Sequence, residues 1–218
     1  TSTQVTYLSN TAIAAMSTDQ FAQLSTNDLR ALTATQLNAV STAAVSSMST
    51  GNLQALTITQ FKSLTNTQLA ALNTSQVQSL NSNQLQNLTA VQIASLGTTN
   101  AGVLSSSQLD DLSATQLKTL SSTFVGALSS SAVGALNSSN AKILTNAQLQ
   151  SLTTTAVGAL TANFINALTS AQVAVLSTAQ IQSISTGVVG SLSLATLKAL
   201  STAQVEVLSS SALNQFGT

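Results

Sequence analysis

The repeat that decides this fold is Thr65-Asn66-Thr67-Gln68-Leu69-Ala70-Ala71-Leu72, an octad whose pattern recurs from end to end of the chain. Every residue whose number is a multiple of eight is apolar, and 22 of these 27 residues are Leu. A second apolar column lies three residues earlier in each octad, interrupted only by Ala101 and Ala141. A strict short period indicates a repeat architecture. The chain is therefore predicted to be one octapeptide-repeat solenoid of 27 octads over residues 1–218, and part of a longer array.

The residue types within the octad indicate a short helix. Position 1 is Ser, Thr or Asn in every octad except the one that begins at Gly97. These residues are preferred at a helix N-cap, where a side-chain oxygen accepts a backbone N–H. Position 4 is Gln in 14 of 27 octads, as a capping box requires. Positions 5 and 8 share one face of a helix. Each octad is thus predicted to form its own capped helix, with columns 5 and 8 in the core.

A single continuous helix does not fit this period. Eight residues at about 100° each turn the apolar face by about 80° beyond two full turns, so the face would spiral around the axis. A coiled coil needs a period near 3.5 residues and is excluded for the same reason. The chain must bend at every octad, which predicts an all-α repeat solenoid: a superhelix of 27 short capped helices. The sequence leaves the number of octads per turn open.

A β-solenoid is the alternative. Ser, Thr and Val favour strands, and Gly inside a helix costs about 1 kcal/mol. Glycine occupies position 6 in five octads, at Gly102, Gly126, Gly134, Gly158 and Gly190. However, a strand alternates its faces with a period of two, so columns 5 and 8 would point to opposite sides. The helical solenoid is therefore favoured.

The composition excludes several classes of function. Charged residues make up 5% of the chain and the net charge is zero, without His, Cys, Pro or Trp. The chain has neither a basic patch for phosphates nor an aromatic platform for bases, so nucleic-acid binding is not expected. No apolar run approaches the roughly 20 residues of a membrane-spanning helix, and membrane insertion is not expected. The first residues show no signal peptide.

Candidate catalytic and metal-binding residues are few. Lys62-Ser63 and Lys118-Thr119 are the nearest approach to a lysine-activated nucleophile. All five basic residues occupy position 6, which is predicted to face solvent. Asp110-Asp111 is the one carboxylate pair, too few oxygens for a calcium site. We therefore expect no catalytic residue, cofactor or metal site. The off-column aromatics Phe124, Phe164 and Tyr7 are expected to fill part of the core.

Segments such as Leu176-Ser177-Thr178-Ala179-Gln180-Ile181 and Leu200-Ser201-Thr202-Ala203-Gln204-Val205 resemble the Ser/Thr/Gln/Leu-rich repeat regions of large bacterial secreted or surface proteins. The resemblance implies a structural fibre, stalk or adhesin spacer, extracellular or at the cell surface. Val5 and Leu8 at one end, with Leu213 and Phe216 at the other, look like internal repeats. Because solenoids need polar caps to stay soluble, self-association into an oligomer or filament is expected. A ligand-binding or ice-binding solenoid surface is the alternative function.

Overall fold

The computed structural model describes residues 1–209, and every octad in that range forms one helix of 4–6 residues. No strand occurs among these residues, so the helical prediction is confirmed and the β-solenoid alternative is wrong. Helix αn lies in octad n. The first of two compact units, Thr1–Val103, contains α1 Ser2–Thr6, α2 Asn10–Ala14, α3 Thr18–Ala22, α4 Thr26–Ala31, α5 Ala34–Ala39, α6 Thr42–Ser47, α7 Thr50–Ala55, α8 Ile58–Ser63, α9 Asn66–Ala70, α10 Thr74–Gln78, α11 Ser82–Asn87, α12 Ala90–Ser95 and α13 Gly97–Ala101.

The second unit is Leu104–Thr218, of which residues 104–209 are described. It contains α14 Ser106–Asp110, α15 Ala114–Thr119, α16 Ser122–Gly126, α17 Ser130–Gly134, α18 Ser138–Ile143, α19 Asn146–Ser151, α20 Thr154–Gly158, α21 Ala162–Ala167, α22 Ser170–Ala174, α23 Thr178–Gln182, α24 Thr186–Val189, α25 Leu194–Ala199 and α26 Thr202–Glu206. Leu213 and Phe216, which the sequence predicts to be an uncapped end, lie outside the described residues.

Bends between helices are built from positions 8 and 1. At the bend between α4 and α5, Leu32 (φ −60°, ψ 135°) and Thr33 (φ −70°, ψ 159°) are both extended. The Thr33 hydroxyl then accepts the backbone N–H of Gln36 at 3.2 Å, which starts the next helix. Because two extended residues suffice, the bend needs neither Gly nor Pro. The exception is Gly97 (φ +83°), which follows a helical Leu96 and leaves α13 without a side-chain cap.

Within each unit, helix n packs on helix n+3. In the first unit α1 contacts α4 and α2 contacts α5; in the second, α15 contacts α18 and α16 contacts α19. Three octads of eight residues therefore make one coil, so equivalent positions on stacked helices are 24 residues apart. A helix of 4–6 residues is too short to be stable alone in water, and its stability comes from the coils above and below it.

Columns 5 and 8 form the core, as the sequence predicts. Every position-5 side chain from Val5 to Val189 is buried, including Ala101 and Ala141 in the interrupted octads. Every position-8 side chain from Leu32 to Ile184 is buried as well. The five basic residues at position 6 are exposed, which confirms their predicted orientation; they are Arg30, Lys62, Lys118, Lys142 and Lys198.

Position 4 is a third buried column that the two-column prediction lacks. Phe124 and Phe164 are 2% and 0% exposed, so their predicted role in the core is confirmed. Tyr7 is 83% exposed, and the prediction that it fills the core is wrong. In later coils position 7 packs against the helix three before it, as Ser151 does against Gly126, whereas no described helix precedes α1 to cover Tyr7. Most other position-4 residues in the core are glutamines, whose polar groups need partners there.

Candidate functional site

A buried glutamine at position 4 links each coil to the one before it. Gln76, 1% exposed, accepts the backbone N–H of Asn73 through Oε1 at 2.9 Å and so completes the capping box. Its Nε2 donates to the carbonyl oxygens of Val45 at 2.9 Å and Met48 at 2.8 Å. These carbonyls belong to positions 5 and 8 of the octad four before. We call this pair of bonds a glutamine rung.

Glutamine rungs occur in both units and bring a donor to carbonyls at helix C-termini, where the regular helix bonds run out. The position-5 carbonyl also accepts the backbone N–H of position 8 in its own octad, as Val45 does from Met48 at 3.2 Å. Complete rungs, with both the position-5 and the position-8 carbonyl, include those of Gln36, Gln60, Gln68, Gln76, Gln148, Gln172, Gln180 and Gln204. No buried side-chain nitrogen or oxygen among residues 1–209 lacks a hydrogen-bond partner.

The capping box alone does not explain why position 4 is Gln. A carboxylate would complete the same box and would also be favoured by the helix dipole. Yet none of the 27 position-4 residues is Glu, and only Asp28 is acidic. A carboxylate would point its oxygens at two carbonyl oxygens, whereas the amide donates to them. The choice of Gln over Glu is thus the sequence signal of the rung, and a two-column interpretation misses it.

One octad makes the link with the roles reversed. Position 4 of α25 is Thr196, which cannot reach the coil below. Instead Asn166, at position 6 of α21, accepts the backbone N–H of Ser193 at 2.7 Å and the Thr196 hydroxyl at 3.0 Å through Oδ1. Its Nδ2 donates to the Ser191 carbonyl at 3.0 Å. Hydrogen bonds still connect the two coils, but the residue that makes them lies on the earlier helix, α21, rather than on α25.

A second kind of coil contact uses glycine at position 6. A Cβ added to Gly126 would lie 2.6 Å from the Ser151 carbonyl oxygen, and one added to Gly134 would lie 2.8 Å from that of Ala159. A Cβ added to Gly158 would lie 2.8 Å from the Ser183 carbonyl oxygen. These helices approach so closely that only glycine fits. Three of the five position-6 glycines that seem to favour strands are therefore required by helix packing.

Leu8, Met16 and Leu24 form an apolar edge on the first coil, which we call the open edge. They occupy position 8 of α1 to α3, and none is buried; Leu8 is 38% exposed, whereas Leu32 in the next coil is 3% exposed. The Gln20 amide shares this edge: Oε1 accepts the Ser17 backbone N–H at 2.9 Å, but Nε2 donates to no described residue. The open edge thus offers both the leucine column and the donor that later coils use for stacking.

Asp28 is the acidic residue at position 4. Its carboxylate accepts the Ser25 hydroxyl at 2.6 Å, the Ser25 backbone N–H at 3.0 Å and the Ser2 hydroxyl at 3.0 Å. These hydrogen bonds, that of the Ser25 side chain first, lower the pKa of Asp28 below its ordinary value. The Asp28 carboxylate thus contacts donors only, whereas a rung glutamine faces two carbonyl oxygens.

The two candidate nucleophiles that the sequence offers, Ser63 and Thr119, donate hydrogen bonds to backbone carbonyls. The Ser63 hydroxyl donates to the Gln60 carbonyl at 2.7 Å, and the Thr119 hydroxyl donates to that of Thr115 at 2.6 Å. Their protons are directed at helix carbonyls while Lys62 and Lys118 extend into solvent. Asp110-Asp111 has no third ligand nearby: residues 1–209 contain no group of three or more His, Cys, Asp or Glu that could hold a metal ion.

A cleft of about 570 Å³ lies between α15 and α18 in the second unit. Its lining contains two lysines, Lys118 and Lys142, together with Ala114, Thr115, Thr119, Ile143, Leu144 and Thr145. No carboxylate contributes to this lining. The sequence prediction of isolated solvent-facing lysines does not anticipate their convergence, because the 24-residue coil that brings them together is a property of the stacking.

A sequence model of the ALTTAQ repeat family matches residues 21–58. Ala167-Leu168-Thr169-Ser170-Ala171-Gln172, outside that match, differs from Ala-Leu-Thr-Thr-Ala-Gln by one residue. These six residues are positions 7, 8 and 1 to 4, which form the helix end, the bend, the cap and the rung. The match supports a repeat protein. No curated protein matches the chain.

Among the described residues, no helix has the length and apolar character needed to span a membrane.

Proposed function

We propose that this chain is a structural, self-associating element of the cell exterior, a fibre, stalk or adhesin spacer of a bacterial surface, and that it has no catalytic role. The observation that carries the proposal is the open edge. Leu8, Met16 and Leu24 present the same column that is buried between coils elsewhere, and a further coil of the same repeat would cover it. Such a coil can come from neighbouring residues of a longer chain or from another copy.

The regular outer surface also supports a structural role. The side chains that carry charge are few and face solvent, and the candidate hydroxyls Ser63 and Thr119 are committed to backbone carbonyls. Repulsion between copies is weak because the net charge is zero. Repeated polar linkage between coils, rather than a singular reactive group, is what the fold maintains along its length.

Self-association is tested by static light scattering of the 218-residue chain over a wide concentration range. The expected result is a mass that rises with concentration. The double variant Met16→Lys/Leu24→Lys places two charges on the open edge and should remain a monomer, because burying unpaired ammonium groups between coils is costly.

The matched control is Ala14→Lys/Ala22→Lys, which adds the same charge to α2 and α3 at exposed position-6 sites. The control should associate as the unmodified chain does. A constant monomer mass for the unmodified chain at all concentrations would refute self-association, and equal behaviour of the two double variants would refute the open edge as its site.

The extracellular part of the proposal needs a separate measurement. Intact cells that produce the protein are treated with a protease that cannot enter them, and the repeat region is then followed with an antibody. Loss of the region from intact cells is expected. Full protection in intact cells, together with digestion after lysis, would contradict a location outside the cell.

A further inference from the structure

Two of the five basic residues of this nearly uncharged chain lie one coil apart on the same outer face. Lys118 and Lys142 both occupy position 6, and their helices α15 and α18 are stacked. A lysine at this position complements the C-terminal end of its own helix dipole, but that effect needs only one lysine per helix. It does not explain why two ammonium groups of like charge border one cleft.

The cleft joins charge with hydrogen-bond donors and a small apolar surface. Lys118 and Lys142 contribute two ammonium groups, each with three N–H donors. Thr115 adds a hydroxyl on the same side as Lys118, while the Thr119 and Thr145 hydroxyls already donate to the Thr115 carbonyl and to Gln148. Ile143, half-buried at a position that is usually Ala or Ser, provides an apolar wall.

The acidic residues of the second unit are placed elsewhere. Asp110 and Asp111 belong to α14 and its C-cap, α14 packs on α17, and Glu206 is on α26; none of the three lines the cleft. The cleft lining therefore has a local charge of +2 from its two lysines, in a chain whose total is zero. Two ammonium groups without a carboxylate beside them are an arrangement that recognises an anion.

We propose that this cleft binds an oxyanion group, sulfate, phosphate or carboxylate, either as a free ion or carried on a larger molecule. The two ammonium groups contact separate oxygens of the anion, and the Thr115 hydroxyl donates to one of them. Ile143 and Ala114 contact the apolar part of a larger ligand. This site is independent of the open edge, which lies on α1 to α3.

Equilibrium dialysis with radiolabelled sulfate tests the site, since it counts bound ions whatever the association state of the protein. Saturable binding of one sulfate per chain is expected at low ionic strength. The double variant Lys118→Gln/Lys142→Gln should weaken binding about tenfold, the range expected for two exposed ion pairs. Its far-UV circular dichroism should be unchanged because both residues are exposed.

The control variant is Lys62→Gln/Lys198→Gln, which removes the same total charge from two other position-6 sites. It should bind sulfate as the unmodified chain does. Equal weakening in the two variants would show an effect of net charge alone and overturn the proposal, as would the absence of saturable binding by the unmodified chain.

Competition distinguishes the two sources of the anion. Dextran sulfate should displace the bound sulfate at a lower sulfate-group concentration than free sulfate if the group is carried on a polymer, whereas neutral dextran should not displace it. If dextran sulfate displaces the bound sulfate only at the same sulfate-group concentration as free sulfate does, the anion that binds is a free ion. Displacement by neutral dextran would mean that the charge of the cleft is not what binds, and would overturn the proposal.

Discussion

The coils around α5 to α10 and those around α16 to α20 have the same core but are joined differently. In the first region, glutamine rungs such as those of Gln60, Gln68 and Gln76 connect each coil to carbonyls of the one before. In the second, rungs such as that of Gln148 are joined by direct backbone approach at Gly126, Gly134 and Gly158. One repeat thus supports two kinds of contact between coils, a polar one with a side chain inserted and a close-packed one without it.

The two kinds of contact exclude each other at a given site. A rung amide reaches the position-6 backbone of the octad four before, as in the 3.4 Å contact from Gln68 Nε2 to the Asn38 carbonyl, 30 residues earlier. Thirty residues after Gly126, Gly134 and Gly158 stand Ala156, Phe164 and Val188, none of which can donate a rung. At these three positions the sequence therefore supplies the close-packed glycine but not the rung amide.

The largest effect should come from the core that both regions share. Leu72→Asp and Leu136→Asp each bury an unpaired carboxylate at position 8, and each should cost at least about 4 kcal/mol of unfolding free energy. Urea denaturation followed by circular dichroism measures both, with Lys62→Ala as a control expected to change stability by less than about 0.5 kcal/mol. A large cost in one region and none in the other would disprove a common core.

The rung itself is tested by Gln76→Glu, which keeps the cap acceptor but replaces the amide donor with a second oxygen. The carboxylate faces the Val45 and Met48 carbonyls, so we expect a loss of about 3 kcal/mol at neutral pH. Because the charged form is disfavoured, the pKa of the new carboxyl would be raised in the fold. The loss should be full above that pKa and shrink as the pH falls and the carboxyl becomes protonated.

Gln20→Glu is the matched control for this change. Gln20 has the same capping box, but its Nε2 donates to no described residue. The substitution should therefore be neutral or stabilise by up to about 0.5 kcal/mol through the helix dipole. If Gln76→Glu were as harmless as Gln20→Glu in denaturation experiments, the rung would contribute nothing and the contrast between the two regions would fail.

The close-packed contact is tested by Gly134→Ala. The added methyl group would meet the Ala159 carbonyl oxygen at 2.8 Å, and overpacking should cost about 1–3 kcal/mol. Gly51, in α7, has only Ser49 Oγ at 4.0 Å from such a methyl group. Gly51→Ala should instead stabilise by about 0.5–1 kcal/mol. Thermal unfolding should shift in opposite directions for the two variants; a shift in the same direction would contradict the close approach.

The smallest effect is expected at Asp28. Its folded-state pKa is lowered, so the stabilisation from its hydrogen bonds is present above the pKa of an unfolded aspartate, about 3.9, and is lost as the pH falls through the folded value. Asp28→Asn should therefore make unfolding free energy less dependent on pH in this acidic range. If urea titrations gave the same pH dependence of the unfolding free energy for the two proteins, these hydrogen bonds would not contribute to stability.

Much of the fold follows from residue types and spacing. Ser or Thr at position 1 and an apolar residue at positions 5 and 8 act within one octad, so the helix, its cap and its buried face could be predicted. Tyr7 could not be placed correctly, because the exposure of a position-7 side chain depends on which helix is stacked against it. The rung was hidden for a related reason, since Gln76 and its acceptors Val45 and Met48 are 31 and 28 residues apart.

A chain of capped helices that bends every eight residues follows from the residue order alone, because capping, helix geometry and hydrophobic period are local properties. The number of octads in a coil, three, is a property of the folded molecule, since it depends on the bend angle and on which helices stack. The coil length in turn decides which distant positions meet: Gln76 with Met48, Gly134 with Ala159, and Lys118 with Lys142. Those contacts are set by packing between coils, which no single octad encodes.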